Sequence, residues 1–300
     1  MDSIAVYQGV VAEVAWTNPH VYITVDLADD QGEWTFETDA IPILRRSGWS
    51  VDSISEGERV LVRGNPGTVT ADRHALLASI ETADGTVLTP RSHFERGAGT
   101  ASARVPAESL EGIWELPFGD LGDFMQRWAA IALTSEGTAG QLAFTPEDRP
   151  AGKCIGTPTP MLMGMPYLNE IEFGDEVIYL RNEFLNAERI VFMDGRDHPA
   201  NGQRTNQGHS IGHWENETLV VDTVLFEDHR APIRGPNEGV PSGSQRHVVE
   251  SYRLSNDGTS ILIEFDVEDP EFLAEPFTGT LRWVHVTEYE PMGFDCPVSE

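Results

Sequence analysis

Short stretches in which apolar residues fall at every second position run through most of this chain. In Ile261-Leu262-Ile263-Glu264-Phe265-Asp266-Val267 the alternation sends one set of side chains to one face of a strand and the rest to the other. Comparable segments recur at Ile171 with Phe173, Val177 with Tyr179, Ile190 with Phe192, Leu219 with Val221, Val248 with Tyr252 and Leu281 with Trp283. So many short strands, with turn signals between them, predict a mainly β chain. The economical architecture for this part is a closed or nearly closed antiparallel β-barrel of the lipocalin-like kind, whose interior can hold one small ligand. A two-sheet sandwich is the alternative.

The first ~90 residues carry the same signal at smaller scale. Val21, Ile23, Val25 and Leu27 alternate with Tyr22, Thr24 and Asp26, and Trp34-Thr35-Phe36-Glu37 and Val60-Leu61-Val62-Arg63 supply further strands. Arg45-Arg46-Ser47-Gly48-Trp49 reads as the end of a short helix running into a glycine turn. That content suits a small OB-like N-terminal barrel over residues 1–91. Residues 92–109 are rich in Gly, Ala, Ser and Arg without apolar period, and read as a linker. The larger barrel then occupies 110–300, and Phe124, Trp128, Ile131 and Ala132 predict one amphipathic helix early in it, ending near Gly137.

Charge restricts the partners. Asp and Glu number 49 against 20 Lys and Arg, a formal net charge of −29, and Lys153 is the one lysine. Nucleic acid would be repelled, and a distributed acidic excess suits a soluble protein, as in a salt-adapted source. No run approaches the ~18 apolar residues that a spanning helix needs, and Met1-Asp2-Ser3-Ile4-Ala5 has no signal-peptide character. Cys154 and Cys296 form no zinc pattern; one long-loop disulfide and two unrelated thiols both remain open.

The polar chemistry gathers in Met193 to Thr223, where His198, His209 and His213 share a turn-rich connection with Asp194, Arg196, Asp197 and Asp222. Gly208-His209-Ser210-Ile211-Gly212 spells G-x-S-x-G, the nucleophile elbow of serine hydrolases. An elbow needs a buried strand before the serine and a helix after it. Here the upstream segment 201–207 is polar throughout, and Thr218 to Thr223 is strand-like, so the context is wrong.

Two sets of motifs resemble families of unknown function, usually exported. Trp16-Thr17-Asn18-Pro19-His20-Val21 and Arg46-Ser47-Gly48-Trp49 are similar to the marks of one. Asp194 to Pro199, Gly208 to Thr223, Val248-Val249-Glu250 and Glu268-Asp269-Pro270 resemble, in order, the four blocks of another. Where that second family commonly has Pro-His-Ser, this chain has Pro241-Ser242-Gly243, so one family histidine is missing. The resemblance implies an exported protein in its mature form, periplasmic or secreted, with the cytoplasm as the alternative. It also favours pairing of Cys154 with Cys296, and implies no particular reaction.

Strand alternation places Val248, Glu250 and Tyr252 on one face and Val220, Asp222 and Val224 on another, so either carboxylate can point among apolar neighbours. A carboxylate so placed and unpaired has a raised pKa and can serve as a general acid or base. His209, Asp222 and Glu250 are the expected proton-transfer groups. Arg196 is an orienting or oxyanion-binding cation, with Asp194, His198 and His247 as partners; Arg196 could equally brace the strands by pairing with Asp222 or Glu250. Glu183 and Arg189 read as a structural cross-strand pair, and His20 as part of the turn around Asn18-Pro19. A metal site from His209, His213 and Asp222 is conceivable only if the segment is regular, and none is expected. No dinucleotide loop, phosphate loop or C-x-x-C-H occurs, so no cofactor is expected. The expectation is therefore a cofactor-free acid–base enzyme, a lyase, isomerase or hydrolase, acting on a small, largely apolar ligand inside the C-terminal barrel. The competing expectation is a ligand-binding protein with an N-terminal docking module.

Overall fold

The computed structural model describes residues 4–28, 32–67, 73–93, 105–148, 150, 153–228 and 239–296. The chain divides into two compact units, Met1–Ala101 with Phe294–Pro297, and Ser102–Gly293 with Val298–Glu300. The linker expected at 92–109 falls largely on residues 94–104, which lie outside the described residues.

The first unit contains β1 (Ala5–Ala15), β2 (Tyr22–Leu27), β3 (Gly32–Glu37), α1 (Ile41–Arg46), β4 (Arg59–Pro66), β5 (His74–Glu81) and β6 (Val87–Leu88). The sheet runs β3-β2-β1-β4-β5-β6, and a parallel pairing of β3 with β5 closes the first five strands into a barrel. Five strands closed in that order, with a helix between β3 and β4, make the OB-like barrel that the alternation predicts. Ile23 and Val25 face inward beside Phe36, Leu44, Val60, Val62 and Ile80, all at most 3% exposed. In β1, Gly9 is required by close approach: a Cβ there would lie 2.3 Å from the Asp26 carbonyl oxygen. Asn18 Oδ1 accepts the Ile41 N–H at 3.0 Å, tying the Asn-Pro-His turn to the first residue of α1.

The second unit is a barrel of nine strands: β7 (Gly112–Glu115), β8 (Leu168–Phe173), β9 (Val177–Asn182), β10 (Ala187–Phe192), β11 (His209–Glu215), β12 (Thr218–Val224), β13 (His247–Leu254), β14 (Ser260–Glu268) and β15 (Phe277–Val286). Each strand pairs with its neighbours in sequence, and β15 closes on β7. An odd number of strands closed in this way cannot alternate direction throughout. The one parallel pair falls between β10 and β11, at Val191↔Ser210 and Phe192↔Ile211. A parallel connection must return along the barrel before pairing and needs about a dozen residues or more. Residues 193–208 are that return, which is why the chemistry-rich segment is a long polar crossover and not a hairpin.

The barrel core is filled. Trp114, Ile171, Val191, Leu219, Val221, Val248, Tyr252, Ile261, Ile263, Phe265 and Trp283 are at most 4% exposed, each apolar side chain contributing on the order of 1.5–3 kcal/mol. Helix α2 (Phe118–Ala129) adds Phe124 and Trp128 to this core, with Trp128 stacked on Phe265 at 6.0 Å between centroids. The helix expected to end near Gly137 stops at Ala129. Thr134 Oγ1 caps the Gly137 N–H and starts a second helix, α3 (Ser135–Leu142). Among the described residues, no helix is long and apolar enough to cross a membrane.

Candidate functional site

Alternation along three neighbouring strands sorts the candidate residues to opposite sides of the barrel wall. On β11, β12 and β13, Ser210, Thr223 and Glu250 point inward and are fully buried. His209, Asp222 and His247 point outward and are half-buried. The structure therefore does not bring Glu250 together with His209 and Asp222, which sequence reading groups as proton-transfer partners. A single strand thickness separates the two sets.

Inside, Arg189 on β10 reaches Glu250 on β13. Its guanidinium donates to both carboxylate oxygens, with Nη2 3.1 Å from Oε1, and also to the Tyr252 hydroxyl at 3.1 Å and to Thr223 Oγ1 at 3.3 Å. Ser210 and Thr223 share a 2.8 Å hydrogen bond, and the Tyr252 hydroxyl lies 3.1 Å from Met163 Sδ. Burial alone would lower the Arg189 pKa, but the charges and hydrogen bonds of Glu250 and Tyr252 together reverse this. Burial, and then Glu250, push the Tyr252 hydroxyl well above its ordinary value. Thus Arg189 pairs with Glu250 and not with Glu183, whose Oε1 accepts the Met292 N–H at 2.9 Å. The void beside Arg189 and Tyr252 measures about 20 Å³, room for roughly one water.

Outside, the crossover lays His198 over the wall. His198 Nδ1 lies 2.8 Å from His209 Nδ1, and His198 Nε2 lies 3.0 Å from Asp222 Oδ1. His247 Nε2 sits 3.0 and 3.1 Å from the two oxygens of the same carboxylate. One aspartate thus joins two imidazoles, and a third follows in line. Phe192 stacks on His209 at 5.2 Å between centroids and an interplanar angle of 26°, and the Arg196 guanidinium lies 4.0 Å from the Phe192 ring centre. Partial burial lowers the His209 pKa, and His198 and then Arg196 add to the effect.

Arg196 pairs with Asp194, Nε lying 2.8 and 2.9 Å from the two oxygens, and not with Asp222 or Glu250 as the bracing reading had it. That guanidinium holds the Asp194 carboxyl below its usual range. His213 lies further along β11, 61% exposed and bonded to Glu215 at 3.1 Å. Among the described residues, no group of three His, Cys, Asp or Glu side chains is arranged to hold a metal ion.

The G-x-S-x-G match is explained by packing. Gly208 has φ +71°, and a Cβ there would lie 2.6 Å from the Val224 carbonyl; one on Gly212 would lie 2.7 Å from Met193 Sδ. Ser210 faces the core within a strand, without the exposed turn that an elbow requires. Phe192 is the outer-wall member that sequence reading missed. Its signal was its position on β10 immediately before the crossover.

The first unit holds a second carboxylate between imidazoles. Glu37 bonds His20 Nδ1 through one oxygen and His74 Nε2 through the other, the latter at 3.0 Å. Burial would raise the Glu37 pKa, but the two histidines lower it. His20 is thus bonded to a carboxylate besides belonging to the Asn-Pro-His turn.

Residues 1–75 match a family of unknown function (DUF6152). The first barrel is similar to that family over these residues. No curated protein matches the chain. Neither cysteine is free; both are disulfide-bonded.

Proposed function

We propose that the second unit is a cofactor-free acid–base enzyme of lyase, isomerase or hydrolase type, with His209 as general base on the outer wall of the barrel. The observation that supports this reading is the direction of the hydrogen-bond chain. A neutral imidazole has one N–H, and a carboxylate only accepts. His198 Nε2 faces Asp222, so it carries the proton and Nδ1 of the same ring accepts. His209 Nδ1 is then the donor across the 2.8 Å contact, which leaves the lone pair on His209 Nε2. The lowered His209 pKa keeps that ring neutral near pH 7, with the Nε2 lone pair free to accept a proton.

In this reading Asp222 fixes the tautomers of both neighbouring rings, and His247 is the second imidazole available to return a proton. Arg196, beside the Phe192–His209 stack, supplies positive charge near a developing oxyanion. The substrate lies against the outer wall, since the core is filled. Glu250 is assigned to the barrel's internal bracing and not to proton transfer.

We also read the chain as exported to the periplasm or beyond, because structural disulfides persist in oxidising compartments. The four motif blocks of the second unit are read as a separate family joined to the first. The acidic surface argues against a nucleic-acid partner.

The test is a turnover screen on esters, glycosides and enones. His209→Gln and Asp222→Asn are expected to lower kcat/KM on any active substrate by about 10²–10⁴-fold. Undisturbed turnover in both variants would remove the assignment, and binding without any turnover would favour a ligand-binding protein.

A further inference from the structure

The strand register continues the outer-wall row that contains Asp222. Asp222 pairs with Val249, Val249 with Asp266 and Asp266 with Thr278, so these four side chains stand side by side on one face of β12 to β15. The next outward row is Val220, Ser251, Glu264 and Thr280. The β13–β15 members of both rows line one open groove of about 390 Å³. Its far end is marked by Arg127 of α2, which donates to Thr280 Oγ1 at 3.2 Å. With strands about 4.8 Å apart, Asp222 stands one step from Val249 and about 14 Å from Thr278.

The lining decides which ligand suits it. Glu264 and Asp266 make no ion pair among the described residues and offer acceptors. Ser251, Thr278 and Thr280 offer hydroxyls that donate or accept, and Arg127 offers a donor. Val249 is the one aliphatic side chain in the floor, while Phe265 is 4% exposed. An anion meets two carboxylates here, and a cation meets Arg127. A neutral ligand with many hydroxyls meets a partner at each position without a like-charge contact.

We infer that this groove is the substrate-binding strip of the outer-wall site, and that it takes a neutral, polyhydroxylated ligand of the linear oligosaccharide class. The inference rests on the acid–base reading of His209 and Asp222. It places one end of the ligand at the histidines and the other beside Arg127.

Calorimetry with cellotetraose and maltotetraose tests it on the full chain, using wild type, Asp266→Asn and Thr278→Trp, with spermidine as the charged control. At least one tetrasaccharide is expected to bind wild type. Asp266→Asn or Thr278→Trp should weaken that binding about tenfold or more, the size of a lost charge-assisted hydrogen bond. Failure of both sugars to bind wild type, unchanged binding in both groove variants, or binding of spermidine alone would each overturn the inference. Sugar binding that the groove variants abolish, without turnover by wild type, would uphold the groove and sink the acid–base reading.

Discussion

Arg189 and Glu250 face each other across the inside of the larger barrel, from β10 to β13, with Ser210 and Thr223 on the two strands between them. Both are nearly or fully buried, at 5% and 0% side-chain exposure. A charge pair at that depth requires both partners, because either alone is left desolvated without compensation.

Glu250→Leu is therefore expected to cost about 3–5 kcal/mol in urea denaturation, since Arg189 keeps its charge in the core. Glu250→Leu combined with Arg189→Met should recover most of that loss. A double variant as unstable as the single one would show that the network does more than balance charge.

His209 carries the pH dependence of the outer site. Its folded pKa lies below the ordinary 6.5, so the unfolded chain takes up the proton first as pH falls. Stability should decline as pH drops below that ordinary value, and thermal melts of His209→Gln should decline less over the same range. Equal acid sensitivity of the two proteins would contradict the assignment.

Arg196 is one of the groups that lower the His209 pKa, after burial and His198. Arg196→Gln should raise the His209 titration midpoint in a histidine NMR titration. A midpoint that moves down or stays fixed would show that Arg196 does not act on this ring.

Ser210 is a buried hydrogen-bonding residue and not a nucleophile. A fluorophosphonate probe should leave it unlabelled, and Ser210→Ala should cost about 1 kcal/mol through its bond to Thr223. Stoichiometric labelling at Ser210 would restore the hydrolase elbow.

Gly208→Ala should destabilise the barrel by about 1–3 kcal/mol, because the left-handed φ and the Val224 carbonyl both exclude a Cβ. A neutral result by denaturation would mean that the start of β11 can relax.

The two barrels were legible in the sequence because period-two alternation is a local signal, and Val221, Val248, Ile263 and Val267 all face inward as it implies. It failed locally at β9 and β10. There Val177, Tyr179, Ile190 and Phe192 alternate cleanly, yet Ile178, Leu180, Arg189 and Val191 are the buried set. A one-residue shift exchanges the faces of a strand, and a buried arginine hides the true inner row. The outer cluster was legible as residue types, since His198, His209, Asp222 and His247 were all named. The parallel β10–β11 pair that folds His198 back over the wall is a non-local fact. So is the parity that sends Glu250 inward while Asp222 points out, for each carboxylate sits in an equally regular strand.

The most direct test of the outer-wall account needs no substrate. Long-range ¹H–¹⁵N correlation of the histidine rings near neutral pH reports which nitrogen of each carries the proton. The expected result is an Nε2–H tautomer for His198, an Nδ1–H tautomer for His209, and loss of that ordering in Asp222→Asn. An Nε2–H His209 in the wild type, or tautomers unchanged by Asp222→Asn, would contradict the proton chain on which the general base depends.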